Sequence, residues 1–425
     1  MKVLFITSSY PLPANSGAAV AALETLRSIH QLCELHLLTP PPLTDAQTFA
    51  AALQDALPGM ITHYYPSGPS QTPRHVMYRT AVKALVTGRS YWAMVWFNRN
   101  LRDAFQRLQA RQRFDAVHCE WLLPALSLTG LSLPLVIRTL DVHFEAMDQF
   151  AESIPAGQRL RRWFWRKQVE RFRKCETQVL GQAAAVVSIS NEDAATLRQE
   201  GIAKVITLPP PRRLEVETTT RANSTCLAVF VGRLDMEVNR DAFFVFAEEV
   251  WPRLSASARE NAQIVFAGGF PSDHLRQRAR EIGVELRAPL SDAEASELFR
   301  TADLFFSPVR TGTGIKIKTL DAMAHGKPMV GFKGAFRGVP IESGKHALVA
   351  ETPADFARLL ESLFSDEALR QQIGAAGREF VQTHFDPKLL GAELVEVYQR
   401  VVEACGQQQA NQVNGPIRLR PDFQD

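Results

Sequence analysis

One short stretch of this chain gathers groups suited to phosphate. RTGTGIKIKTLDAMAHGKPMV (310–330) holds the cations Arg310, Lys316, Lys318 and Lys327, and Asp321 is its only carboxylate. Gly312 and Gly314 stand where an apolar run, DLFFSP (303–308), passes into a helical pattern over 315–325. Gly326 and Pro328 then supply a stop signal. Glycines at a helix start let an anion approach the first backbone amides, and the helix dipole favours negative charge there. Helical spacing puts Gly314, Lys318, Asp321 and His325 on one stripe, while Ile317, Leu320 and Ala324 form another that suits a core. A nucleoside diphosphate matches that first stripe. The Thr313–Gly314 backbone and Lys318 would meet the diphosphate, and Asp321 the ribose hydroxyls. Lys316 falls on the opposite side of an ideal helix, with a stem long enough to reach the same anion. The plainer alternative is a solvated helix face with a lysine–aspartate pair. Neither GxxxxGK[ST] nor GxGxxG with its distant acid is present.

The surrounding elements must hold this stretch in place. Candidate strands are 2–8, 34–39, 114–119, 134–139 and 184–190, then 226–232, 262–268, 303–308, 328–332 and 346–350. Several are continuous apolar runs, as in parallel strands covered on both faces. Helical patterns between them imply βαβ units. LPPPRRLEVETTTRANST (208–225) reads as a linker between the two series. The expected architecture is α/β, with two doubly wound domains facing each other across a cleft. The N-terminal domain covers 1–207 and the C-terminal domain 208–388. Ligands of such sheets bind beyond the carboxyl ends of the strands.

Bulk properties narrow the class. The chain has 425 residues, 46% of them apolar, enough for two cores. Its net charge of +3 argues against a protein that coats nucleic acid. Five scattered cysteines without a CxxC pair read as reduced thiols, which suits the cytoplasm. MKVLFITSSYP is too polar for a signal peptide and reads as a first strand. No run approaches the roughly 18 apolar residues of a membrane span. The Gln- and Asn-rich tail, 406–425, is expected to be disordered.

GTGIKIKTLDAMAHGKPMVGF resembles the donor-site segment of family 4 glycosyltransferases, retaining enzymes of the GT-B fold. FITSSYPLPANSGAAVAALETLRSI, VVSISNEDAATL, VFVGRLDMEVNRDAFFVFAEEVWPRL, FAGG and GAFRGVPIESGKHALVAETPADFARLL resemble other parts of that family in the same order. The resemblance covers most of residues 1–400. It implies sugar transfer from a nucleotide-sugar donor to a glycan, lipid-linked or other acceptor, in exopolysaccharide or cell-surface glycan synthesis. It also implies a last helix, 389–405, crossing back to the first domain. No Asp-x-Asp occurs, which suits work without a bound metal or other cofactor.

This chain departs from the family at several positions. The family carries two glutamates separated by seven residues. Here Asp321 takes the second place and Thr313 the first. The arginine of VGRL is Arg233, but Val238 or Asn239 stands where a lysine would follow. Lys318 with Lys316 is expected to replace that charge, as in a GxGIKxK branch of the family.

On the N-terminal side, Gly17 is expected to bring loop amides near the diphosphate or acceptor. An ordinary strand–helix turn is the alternative. Glu120 takes the place where some relatives have a histidine. RTLDVHFE resembles an Arg-x-His-Asn-x-Glu pattern and brings Asp141 and His143 to a strand end. Glu120 or Asp141 can take the acceptor proton. The leaving phosphate is an alternative base. His118 is expected to be structural and to face away from Glu120.

RLRRWFWRKQVERFRK (159–174) has eight basic residues, one acid and four aromatics. It reads either as a solvated helix packed by its aromatics or as a peripheral contact with the inner face of a membrane. Two rivals to a transferase remain at this point. One is a sugar-nucleotide epimerase. The other is a non-catalytic nucleotide- or membrane-binding partner, suggested by the missing first glutamate.

Overall fold

A computed structural model of the chain describes residues 1–14, 16–43, 45–67, 74–129, 134–213, 225–312 and 314–413. Its first sheet is seven-stranded, in the order β3-β2-β1-β4-β5-β6-β7. These strands are β1 Lys2–Ile6, β2 Glu34–Thr39, β3 Ile61–Tyr64, β4 Ala116–Glu120, β5 Leu135–Thr139, β6 Ala185–Ser188 and β7 Val205–Thr207. The second sheet is six-stranded, in the order β10-β9-β8-β11-β12-β13. It is built from β8 Cys226–Val231, β9 Ala262–Ala267, β10 Glu285–Arg287, β11 Leu304–Ser307, β12 Met329–Phe332 and β13 Leu348–Ala350. Every pairing is parallel. Val3, Leu4, Phe5 and Ile6 of β1 are all fully buried, as expected where helices cover both faces.

Three strands escape the apolar-run criterion: β3 (ITHY), β7 (VIT) and β10 (ELR). All three are edge strands. An edge strand has one pairing partner, is short, and tolerates polar side chains, so its sequence lacks a buried run.

The Pro387–Val413 helix packs against the Gly17–Ile29 helix. The fit is close at Gly391, where a Cβ would lie 2.9 Å from Ser28 Cβ. Residues 406–413, expected in a disordered tail, continue this helix instead. Residues 414–425 lie outside the described residues.

The basic segment belongs to a longer helix, Arg159–Gly181. Phe172 is fully buried and Trp165 packs on Trp92 with ring centroids 4.8 Å apart, so these aromatics pack inward. Leu160 and Trp163 remain exposed.

Candidate active site

The glycine turn is where the two sheets approach. Gly314 has φ +65°, and a Cβ there would lie 2.8 Å from the Leu140 carbonyl oxygen and 3.7 Å from Asp141 Cβ. The loop after β11 therefore meets the loop after β5, both at carboxyl ends of strands. Gly17 opens its helix behind the Ser16 cap, and a Cβ on it would lie 3.5 Å from Ile317. Gly17 thus faces the second unit, on the same side as the donor stretch. Thr313 lies outside the described residues.

The helix after this turn is Ile317–Ala324, with Lys316 at its N-cap. It starts two residues later than the expected 315, which changes the roles of the lysines. Lys316 precedes the helix and is not on its wheel. Its Nζ is 3.3 Å from the Gly314 carbonyl. A Cβ on Gly312 would lie 3.0 Å from that amine and 3.3 Å from Val238. Lys316 therefore brings its charge beside Val238, one of the two positions where the resemblance predicts a lysine. Burial, helped by the Arg337 charge, pushes its amine down to about 8 against the pull of Asp141 and Asp193. Lys318 is exposed, lies over the Phe299 ring at 5.5 Å, and stands 3.6 Å from Asp321. The shared face of Lys318 and Asp321 is present, but the more enclosed cation is Lys316.

Asp321 is buried and ion-paired with Arg212 from the segment that follows β7. The Arg212 amide donates to the Phe385 carbonyl at 2.8 Å. Arg233 is half-exposed and held by Asp235 at 2.6 Å. A phosphate at Arg233 has to compete with that carboxylate.

On the opposite wall, Glu120 is buried at the end of β4. Its Oε2 accepts from His118 Nε2 at 2.8 Å and lies 3.8 Å from Arg138 Nη1. This overturns the expectation that His118 faces away. The two residues are separated by one position, and a strand puts i and i+2 on the same face. Asp141 Oδ1 and His143 Nδ1 are 3.3 Å apart, and Glu176 Oε1 is 3.5 Å from the same nitrogen. Glu176 also accepts from the amides of His143 (3.2 Å) and Phe144 (3.0 Å), capping their helix. Burial alone would lower the His143 imidazole, but Glu176 and Asp141 outweigh it and raise the pKa.

The loops after β4 and β5 also contain a set of buried polar atoms without hydrogen bonds. They are Glu120 Oε1, Trp121 Nε1, Arg138 Nε and Nη2, Thr139 Oγ1 and His143 Nε2, while Asp141 Oδ1 and His143 Nδ1 face each other as an ion pair. Burying such atoms without partners costs free energy, so their gathering marks a place built for a polar ligand. Trp121 adds backbone strain, with φ +84°, in a conformation that costs a non-glycine residue about 1–3 kcal/mol. Its ring lies 5.6 Å from His143. Sequence reasoning singled out Glu120, Asp141 and His143 but not Trp121, Arg138 or Glu176. No sequence period reports a left-handed tryptophan or an acid brought in from a distant helix.

An ion cluster spans the two units. Arg337 donates to Glu145 at 2.9 Å and to Asp193 at 3.3 Å. Among the described residues no three His, Cys, Asp or Glu side chains gather as metal ligands.

The paired parallel sheets with a glycine turn between them have close counterparts among solved structures. The fold is GT-B. A sucrose-phosphate synthase from Thermosynechococcus elongatus superposes with a TM-score of 0.69 at 14% identity, covering 95% of this chain and 100% of that one. HepE from Anabaena, crystallised with UDP and glucose, gives a TM-score of 0.64 at 11% identity, covering 94% of this GT-B chain and all of its own. Residues 225–366 match the family model described as "Glycosyl transferases group 1". A phosphatidyl-myo-inositol mannosyltransferase from Mycobacterium leprae (strain TN) is 29% identical over 147 residues. That alignment covers 33% of this chain and 39% of the relative, so this chain spans about two-fifths of that protein's length.

Proposed function

We propose that this GT-B chain is a retaining glycosyltransferase that moves a sugar from a nucleoside-diphosphate sugar to a hydroxyl-bearing acceptor. One observation carries the reading. The unbonded polar atoms after β4 and β5 lie across the Leu140–Gly314 contact from a glycine turn and helix start carrying Lys316. A nucleotide-sugar bound there would place its diphosphate at the turn and its hydroxyls against those atoms. HepE, a fold neighbour, binds UDP and glucose, and the group 1 match falls on the unit that would hold the nucleotide.

In this reading Lys316, the Gly314 backbone and Arg233 take the diphosphate, with Lys318 beside them and Gly17 opposite. Asp321 takes the ribose by sharing its carboxylate with Arg212. Asp141, His143 and Trp121 line the sugar, and Glu120 or the leaving phosphate accepts the acceptor proton. Positive charge and the helix start stabilise the departing diphosphate without a metal.

The acceptor is proposed to be lipid-linked and met at an anionic membrane surface. No helix of the described residues is long and apolar enough to cross a membrane. The Arg74–Thr87 helix, however, exposes Tyr78, Val82 and Val86. It is tied to the basic Arg159–Gly181 helix by Arg171, which donates to the Ala84 carbonyl at 2.7 Å. Exposed apolar side chains alternating with Arg79 and Lys83, on a helix tied to a second one that carries Arg161 and Arg166, suit an interfacial helix pair. Flotation with phosphatidylglycerol vesicles, but not phosphatidylcholine vesicles, is expected, and a V82D/V86D variant should lose it. Equal flotation of the variant removes the membrane part of the reading.

The donor site is tested by thermal unfolding with UDP, GDP, ADP, CMP and dTDP. A ligand at about a hundred times its dissociation constant adds roughly 2.7 kcal/mol, a readily seen shift. One nucleotide should stabilise the protein, and Lys316→Ala should remove the shift. If no nucleotide shifts the midpoint, the donor-site reading fails.

A further inference from the structure

A buried polar chain connects the late Pro387–Val413 helix to Glu120. Tyr398 of that helix is fully buried, and its Oη lies 2.8 Å from His118 Nδ1. The other ring nitrogen, Nε2, lies 2.8 Å from Glu120 Oε2. The imidazole is stacked at 4.4 Å on Phe5 and meets the Tyr398 ring nearly edge-on. These contacts leave it no room to rotate without losing both packing and hydrogen bonds.

Proton counting selects one arrangement. A neutral imidazole has one N–H and one acceptor nitrogen. A carboxylate only accepts, so Nε2 must carry the proton toward Glu120. Nδ1 must then accept, and the Tyr398 hydroxyl supplies the donor. Burial pushes the His118 pKa down and the Tyr398 pKa up, so both stay neutral. The other charged or titratable groups around the chain are Arg138 of β5 and the thiols Cys119 and Cys33. Arg138 approaches Oε2 at 3.8 Å and is anchored by Thr25. Oε2 is therefore held by His118 and flanked by Arg138, while Oε1 makes no hydrogen bond.

We propose that Tyr398 is a positioning residue for Glu120: by donating to Nδ1 its hydroxyl holds His118 in the tautomer that donates to Oε2, leaving Oε1 as the oxygen offered to a bound hydroxyl. The idea rests on the reading of Glu120 as part of the transfer site. It gives the returning helix a role beyond covering the first sheet. Apolar packing alone would be served equally well by phenylalanine at 398.

The first test is independent of activity. Long-range 15N–1H spectra of histidine-labelled protein should show His118 as the Nε2–H tautomer, and Tyr398→Phe should shift or mix that signal. An Nδ1–H or doubly protonated His118 in the wild type overturns the proposal. The second test measures nucleoside diphosphate release from UDP-glucose and GDP-mannose. Tyr398→Phe should lower kcat about tenfold while KM for the donor stays within about twofold, as for one displaced hydrogen bond at the reacting side. In a Glu120→Gln background the same change should cost nothing further, because its effect passes through Glu120. An additive loss, or a lowered melting temperature with unchanged kcat, overturns it. If Glu120→Gln turns over at the wild-type rate, the reading of Glu120 fails and the proposal falls with it. A correct tautomer signal in that protein then shows that the geometry itself was sound.

Discussion

Gly314 touches the carbonyl of Leu140 through bare backbone, and a Cβ would stand 2.8 Å from that oxygen. This contact joins loops from the two sheets at a residue with φ +65°. Gly314→Ala must both adopt a left-handed conformation and push the loops apart. The backbone term alone is about 1–2 kcal/mol. A lower melting temperature and weaker stabilisation by the bound nucleotide are expected. Wild-type behaviour in both assays would show that the approach is not required.

Lys316 and Lys318 should separate in a binding experiment. Lys316→Met should weaken nucleoside diphosphate binding at least about tenfold, or roughly 1.4 kcal/mol, and Lys318→Met much less. Protonation provides an independent check. Burial pushes the Lys316 amine down to about 8, and an arriving diphosphate favours its charged form. Binding at pH 8.5 should therefore take up protons, and binding at pH 6.5 should take up few. Calorimetry in two buffers of different ionisation enthalpy reads this directly. Lys316→Met should abolish the buffer dependence.

His143 should leave a mark on stability. Its folded pKa is raised above the ordinary imidazole value, since Glu176 and Asp141 overcome the burial effect. The charged form is thus bound more tightly in the folded state. Its stabilisation is fully present below the unfolded pKa of about 6.5 and is lost as pH rises through the higher folded value. The melting-temperature gap between wild type and His143→Gln should be widest near pH 5.5 and narrow toward pH 8.5. A gap that widens with pH contradicts the charge arrangement at this site.

Asp321 and Arg212 form a largely buried pair, and Lys318 stands 3.6 Å from the same carboxylate, so removing Asp321 takes a counter-charge from both cations. Asp321→Asn should cost about 3 kcal/mol in denaturant unfolding. Replacing both residues by methionine should cost less than that single change, because the buried guanidinium is removed together with its counter-charge. A double variant less stable than Asp321→Asn would show that the pair contributes more than its own neutrality.

Much of the fold was legible because buried parallel strands leave continuous apolar runs. LFFS of β11 and LVIRT of β5 are fully buried strands that stand out from the polar segments around them. The edge strands were not legible, since an edge lacks the burial that imprints such a run. The turn at Gly312 and Gly314 was legible from glycine chemistry. The assignment between Lys316 and Lys318 was not, because it depended on the helix starting at Ile317 and not two residues earlier.

The sequence by itself determined two series of parallel strands, a glycine turn with adjacent cations, and acids at the ends of β4 and β5. Those features are local: each depends on a run, a turn residue or a spacing of a few positions. Tertiary structure alone decided that Arg212 neutralises Asp321 and that Glu176 caps the helix bearing His143. It also decided that Tyr398 reaches His118 and that Trp121 accepts a strained backbone beside it. Each of these joins or constrains residues through packing between distant segments. Such packing has no period along the chain for a reader of the sequence to detect.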